Sequence, residues 1–200
     1  MSLFKKIFRA GSEIPNEDST SEYNNAPSEL NVPVDEKFTR NFKKNGGKFL
    51  YCENLDEVKE QFENILEEND WFEGEALCFE QRLFSMLDEN KLKYDKPENP
   101  KFLLASCENL IADDGSVLFS SNQIKQFKPN ELPVNMVILA TTSQIIESMT
   151  DGMRLIKKKY DKQYPTNITT IKYFEKATEE DFLQYGSAPK NLYLLLLEDL

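Results

Sequence analysis

The 200-residue chain contains no histidine, so any chemistry rests on carboxylates, hydroxyls, lysines and thiols. Without imidazole there are no Ser-His-Asp or Cys-His triads, no His-ligated metal sites and no imidazole proton transfer. Asp113 and Asp114 are paired carboxylates, the residue types of general acid–base work. They stand beside Gly115, however, and adjacent aspartates before a glycine are ordinary turn chemistry. Glu108 lies in an apolar run, where a carboxylate costs desolvation unless it is paired. It reads either as an outward-facing strand residue or as a functional carboxylate. Thr141, Thr142 and Ser143 close an apolar run. In a parallel sheet that is the edge where ligands meet helix N-termini, and simple N-capping is the plainer reading. Cys52, Cys78 and Cys107 form no Cys-x-x-Cys cluster, which argues against a zinc ribbon or an iron–sulfur cluster on this chain. Cys52 and Cys78 read as small buried hydrophobes. With seven glycines and no P-loop or GxGxxG spacing around Gly46-Gly47-Lys48, there is no phosphate cradle. No cofactor and no metal is expected.

These side chains need a scaffold, and composition bounds it. The length fits one domain plus a tail, and an odd cysteine count fits a reducing cytosol. A net charge of −11 argues against a nucleic-acid partner, which needs a basic footprint. The longest apolar stretch, Leu192 to Leu197, is strand-sized and far short of the ~20 residues of a membrane span. Met1 to Arg9 carries +3, leaving −14 on the remainder. Ala10 to Val34 is polar and Pro-containing and reads as a linker. Residues 1–36 are therefore expected to be a flexible N-terminal tail and 37–200 the folded domain.

Periodicity then orders the elements. Asp35 is placed to cap a short helix carrying Phe38 and Phe42, ended by Gly46-Gly47. Lys48 to Cys52 reads as a strand. A helix from Asn54, with Glu57 as capping-box partner, repeats Leu55, Val58, Phe62, Ile65 and Leu66 at helical spacing. A strand over Ala76–Phe79 and a helix through Leu83, Phe84 and Leu87 follow. Phe102–Ala112 and Ser116–Ser121 flank Asp113-Asp114-Gly115, a strong hairpin signal. Val134–Ala140 is a buried strand. Thr142 or Ser143 caps a helix with Ile145, Ile146, Met149, Met153 and Ile156 on one side, the two methionines in the core. Lys157-Lys158-Lys159 suit its C-terminus by macrodipole. Ile168–Phe174 is a strand, Thr178–Tyr185 an acidic helix, and Asn191–Leu197 a central strand covered on both faces. The alternation predicts an α/β fold, a mostly parallel sheet sandwiched by helices with a small antiparallel hairpin.

The run from Leu110 to Ser121, containing Ile111-Ala112-Asp113-Asp114-Gly115-Ser116, closely resembles the signature of the LUD domain, typified by lactate utilization protein C. Its surroundings agree in order: Gly46-Gly47 and a strand upstream, Leu132-Pro133-Val134-Asn135 before a strand downstream, and Ala188-Pro189-Lys190-Asn191-Leu192 before the last strand. The resemblance implies the fold shared by sugar-phosphate isomerases and CoA transferases (NagB/RpiA/CoA transferase-like). It implies a cytoplasmic, non-redox component of a system oxidising L-lactate to pyruvate, with iron–sulfur subunits as partners. Asn135 stands where the family often has His, and Gln123 to Pro129 replaces an Arg-rich stretch. An alternative is a stand-alone enzyme or sensor binding a sugar phosphate, CoA ester or small carboxylate. A structural or regulatory remnant of the family is a third. Candidate ligand contacts under the resemblance are Glu108, Asp114, Gly115, Ser116, Ser120, Ser121, Asn122 and Asn135.

Overall fold

Five apolar runs pair in parallel as one sheet. In the computed structural model, which describes residues 32–174 and 189–199, these are β1 (Lys48–Cys52), β2 (Ala76–Leu77), β3 (Phe102–Ser106), β6 (Asn135–Thr141) and β9 (Asn191–Leu197). Their order is β1-β9-β6-β3-β2, with every neighbouring pair parallel. Leu104, Val137 and Tyr193 share a rank across the sheet. Because side chains alternate along a strand, they face one side together with Phe102 and Leu195, and Leu103, Ile138 and Leu194 face the other. Both sides are buried, as near-continuous apolar strands of a parallel sheet require. On the first side Leu104, Val137, Tyr193 and Leu195 pack against two helices, α2 (Leu55–Glu68) and α3 (Phe84–Glu89). Trp71 stacks on Phe102 there, with ring centroids 4.9 Å apart.

Local sequence explains the helix ends. Asn54 Oδ1 accepts the Glu57 backbone N–H at 2.9 Å, and the Glu57 carboxylate reaches back to the N–H of Glu53 at 2.8 Å. The capping pair is the expected one, displaced by one residue on its return bond. The first described helix, α1 (Val34–Lys44), follows Pro33 as its N-cap rather than Asp35. Proline presets the φ of the entering residue, and Asp35 sits inside the first turn, where a negative charge favours the helix dipole. At its other end Gly46, at φ 85°, donates to Lys43 O, and Gly47 donates to Phe42 O, the paired bonds of a glycine stop.

A second sheet holds four strands in the order β7-β4-β5-β8: β7 (Ile145–Ile146), β4 (Asn109–Ile111), β5 (Ser116–Ser120) and β8 (Ile168–Ile171). The β4–β5 and β5–β8 pairs are antiparallel and β4–β7 is parallel. The expected hairpin is thus present but is half of a larger mixed sheet. The run Phe102–Ala112 does not form one strand. It leaves the parallel sheet at Ser106, crosses at Cys107 and Glu108, and enters the second sheet at Asn109. Two helices follow in this part, α4 (Ser121–Ile124) and α5 (Met149–Tyr160).

Five further expectations change. The Ala76–Phe79 strand shortens to two residues and Ile168–Phe174 to four. Ile145 and Ile146 are strand, pairing with Leu110 and Ile111, because that ladder satisfies their backbone groups before the helix begins. Ser148, not Thr142 or Ser143, caps α5, accepting the Asp151 N–H at 3.3 Å. Met149 and Met153 are 39% and 37% exposed, because α5 packs by a narrow seam of Gly152 and Ile156. The helix expected over Thr178–Tyr185 lies outside the described residues, as does the expected tail up to residue 31. Cys52, Cys78 and Cys107 are buried and unpaired with one another. Lys190, 1% exposed, donates to the carbonyls of Leu132 at 2.7 Å and Pro133 at 3.2 Å.

Candidate functional site

Glu108 sits in the crossing between the two sheets. Its N–H donates to Leu118 O at 2.8 Å, one residue out of the β4–β5 register that pairs Leu118 with Asn109. Gln144 Nε2 holds the carbonyls of Cys107 and Glu108 at 2.7 and 3.2 Å. The residue is 5% exposed, so it is not the outward-facing strand residue that its position allowed. A carboxylate this deep survives only if its lone pairs are met, and four side chains meet them. Ser120 Oγ, Gln123 Nε2 and Tyr160 OH donate to Oε1 at 2.6, 3.0 and 2.8 Å. Lys159 Nζ lies 2.9 Å from Oε2. Burial pushes the Glu108 carboxyl upward, but the bonds from Ser120, Lys159, Gln123 and Tyr160 outweigh it and hold the group below its ordinary range.

Two elements bring these donors in. Ser120 ends β5 and caps α4, and the Gln123 side chain bonds back to the Ser120 N–H, so one capping box presents both. Helix α5 is held close by Gly152: a Cβ there would stand 2.8 Å from Leu118 Cδ2 and 3.2 Å from Ile146 Cδ1. One turn on, Ile156 packs with Ile111 and Leu118. The seam continues to Tyr160, which places Lys159 and Tyr160 over the carboxylate. Beside this centre, between β4 and α5, opens a cavity of about 400 Å³ lined by Glu108, Asn109, Leu155, Ile156, Lys158 and Lys159.

Of the sequence-derived candidates, Glu108 and Ser120 meet here. Asn122 lies in the first turn of α4, where its N–H donates to Ser120 Oγ, and Ser121 Oγ accepts the Thr166 N–H. Asp114, Gly115 and Ser116 stand at the other end of β5, roughly 13 Å away for a strand of this length. Asp114 Oδ1 accepts from the Ser116 N–H and Oγ at 3.0 and 2.7 Å. Gly115, at φ 69°, lies where a Cβ would collide with the Asn41 and Phe42 backbone of α1. Neighbouring Asp113 pairs with Lys37 at 2.7 Å. Asn135 begins β6 at the amino edge of the parallel sheet, donating to Lys101 O and accepting from Asn191.

The hydroxyls of Thr142 and Ser143 at the carboxyl end of β6 are engaged by the chain itself. Asp199 accepts from Thr142 Oγ1 at 2.9 Å and from Ser143 N and Oγ at 2.9 and 2.6 Å. Partial burial works upward on Asp199, and these bonds overcome it, bringing the carboxyl down to about 2. Among the described residues no group of three His, Cys, Asp or Glu side chains could hold a metal ion.

Sequence reasoning missed Gln123, Tyr160 and Lys159 as partners of Glu108, and Asn109, Leu155, Ile156 and Lys158 as lining. A buried glutamate demands a cation, but nothing local says which lysine, since the partner lies 51 residues away.

The model of the LUD domain matches residues 70–197, a span from the end of α2 through β9 that contains both the Glu108 centre and the hairpin. No curated protein matches the sequence. Among solved structures, a DUF162 family protein from Deinococcus radiodurans superposes with a TM-score of 0.60 at 11% identity, covering 82% of this chain and 96% of that one. At that identity the likeness concerns the fold: a mostly parallel sheet flanked by helices, with a small mixed sheet.

Proposed function

The chain belongs to the LUD domain family, and we propose that it serves there as a non-redox component of a cytoplasmic system oxidising L-lactate to pyruvate beside iron–sulfur subunits. One observation supports this reading above the others. The segment Ile111–Ser121, whose residues carry the resemblance to lactate utilization protein C, forms the β4–β5 hairpin within the matched region. The thiols are consistent with a non-redox part. Burial pushes Cys52 up to about 12 and Cys78 up to about 11, and it raises Cys107 as well. Cluster ligation needs thiolates, so electron carriers would come from partners. Three free cysteines also suit a reducing compartment, and no described helix is long and apolar enough to cross a membrane. The test is a pull-down from lactate-grown cells together with growth of a deletion strain on L-lactate. Capture of iron–sulfur subunits and a growth defect are expected. Normal growth with no such capture would overturn the reading.

A second reading, a stand-alone enzyme or sensor for a small anion, is favoured by the lysine-lined cavity beside Glu108. A ligand at 100 times its dissociation constant stabilises by about 2.7 kcal/mol. Thermal shifts across hydroxy acids, sugar phosphates and CoA esters decide it, and a flat response to all three removes it.

A further inference from the structure

The cavity between β4 and α5 has a definite charge. Its lining holds two ammonium groups, Lys158 and Lys159, and one carboxylate, Glu108. Lys159 and Glu108 form an ion pair at 2.9 Å, and Glu108 has Ser120, Gln123 and Tyr160 as further donors. Lys158 is exposed and makes no ion pair or hydrogen bond among the described residues. The net of the lining is therefore one positive charge, and Lys158 carries it. The helix macrodipole accounts for cations in the last turn of α5. It does not account for an apolar hollow beside them. Leu155 on that wall is 42% exposed, over Ile156 at 1%, so an apolar group seated there removes area from water. The volume lies within the range of small-molecule pockets. A second negative charge on a ligand would meet the fixed carboxylate of Glu108, which disfavours dianions.

We infer that this cavity binds an amphipathic monoanion, a carboxylate bearing an apolar body, with Lys158 taking the head and Leu155 and Ile156 the body. Asn109 and the Lys159–Glu108 pair close the polar side. The inference does not depend on the lactate-oxidation reading, which growth and pull-down decide. It rests on the small-anion reading of the same cavity and narrows it to apolar monocarboxylates. Octanoate binding with a flat response to hydroxy acids, sugar phosphates and CoA esters separates the two.

The experiment is titration of the full-length, isotope-labelled protein with octanoate, followed by amide chemical shifts at constant ionic strength. Saturable one-to-one shifts centred on Asn109, Leu155, Ile156 and Lys158 are expected. Octanamide, which loses the charge-assisted contact, and inorganic phosphate, which lacks the apolar body and brings a second negative charge toward Glu108, should each bind at least about tenfold more weakly. Lys158→Gln should weaken octanoate by about the same factor, and Leu155→Ser should weaken it by severalfold. Lys59→Gln, at a lysine paired with Glu89 on the protein surface, should leave it unchanged. Both Lys158 and Leu155 are exposed, so folded variants are expected, and their amide spectra report it. Octanoate shifts that fail to saturate or centre elsewhere, an unchanged affinity in Lys158→Gln, or phosphate binding as tightly as octanoate would each overturn the inference.

Discussion

The two sheets handle polar atoms differently. In the interior of the parallel sheet, β3, β6 and β9 bury Leu103, Leu104, Val137, Ile138, Leu194 and Leu195 with no charged group among them. Polar side chains there gather at the ends: Asn135 at the amino edge, and Ser106 at the carboxyl edge, where Glu80 accepts its N–H at 2.6 Å. The mixed sheet instead has a buried glutamate at its entrance, just before β4, met by Ser120, Gln123, Lys159 and Tyr160, with a cavity beside it. A sheet covered on both faces can be specified by apolar residues alone. A small sheet has less apolar area to bury, so a satisfied polar centre can tie its helices in place. The larger sheet is the apolar scaffold, and the smaller one adjoins the buried carboxylate and the cavity.

Mutations can break that contrast, and the largest effect belongs to the scaffold. Phe102→Ala removes a fully buried ring stacked on Trp71 and should cost about 3–5 kcal/mol in chemical denaturation. A loss under about 1 kcal/mol would mean that the parallel sheet is not the main store of stability. Next comes Glu108→Ala, which takes the acceptor from buried Gln123 Nε2 and half-buried Tyr160 and leaves Ser120 only Gln123 Oε1 at 3.0 Å, while letting Lys159, 59% exposed in its side chain, turn to water. About 2–3 kcal/mol is expected. The same pair of proteins tests the charge. Native Glu108 binds a proton less readily than the unfolded chain does, so its contribution is complete above the unfolded carboxylate value, near 4.5. It fades as the pH falls through the lower native value. The difference between wild type and variant should therefore shrink in acid. A gap that widens there would contradict the assigned charge state.

Gly152→Ala tests the seam rather than the charge. A helix interior ordinarily gains from alanine, but here the new methyl meets buried Leu118 at 2.8 Å. The net outcome should be destabilisation of about 1 kcal/mol, within the range for overpacking. A stabilised variant would show that α5 is not held by close approach. The smallest effect is expected at Asp199, an exposed carboxylate at the scaffold's rim. Asp199→Asn should lower the melting temperature less than Glu108→Ala at neutral pH. Its deficit should vanish between the unfolded value of 3.8 and the native value of about 2, since protonation removes from the wild type what the substitution removed.

Legibility in the sequence followed the same division. The span Asn191–Leu197 was readable to the residue, as were the Asn54 cap with Glu57 and the glycine stop after α1, because each is set by neighbours along the chain. The turn at Asp113-Asp114-Gly115 was equally plain. What escaped was non-local. β7 is two residues long and exists only because Leu110 and Ile111 lie beside it. By periodicity alone Ile145 and Ile146 continue the helical pattern of α5 and its methionines fall on the core side, whereas the structure pairs the isoleucines in β7 and leaves the methionines exposed. At the site, Glu108 and Ser120 were visible as residues of the right type near one hairpin. Their union with Lys159 and Tyr160 required knowing how α5 lies across β4, which no spacing in the chain encodes.

Lys190 offers a further use of the structure. Its ammonium is enclosed against the Leu132 and Pro133 carbonyls, and burial brings its pKa down to about 8. An enclosed amine is sheltered from acylating reagents until the start of β9 lifts from the 132–133 turn. Mass-resolved labelling at this one site would therefore time the opening of the strand that joins the β1 edge of the sheet to its middle, with no residue replaced to carry a probe.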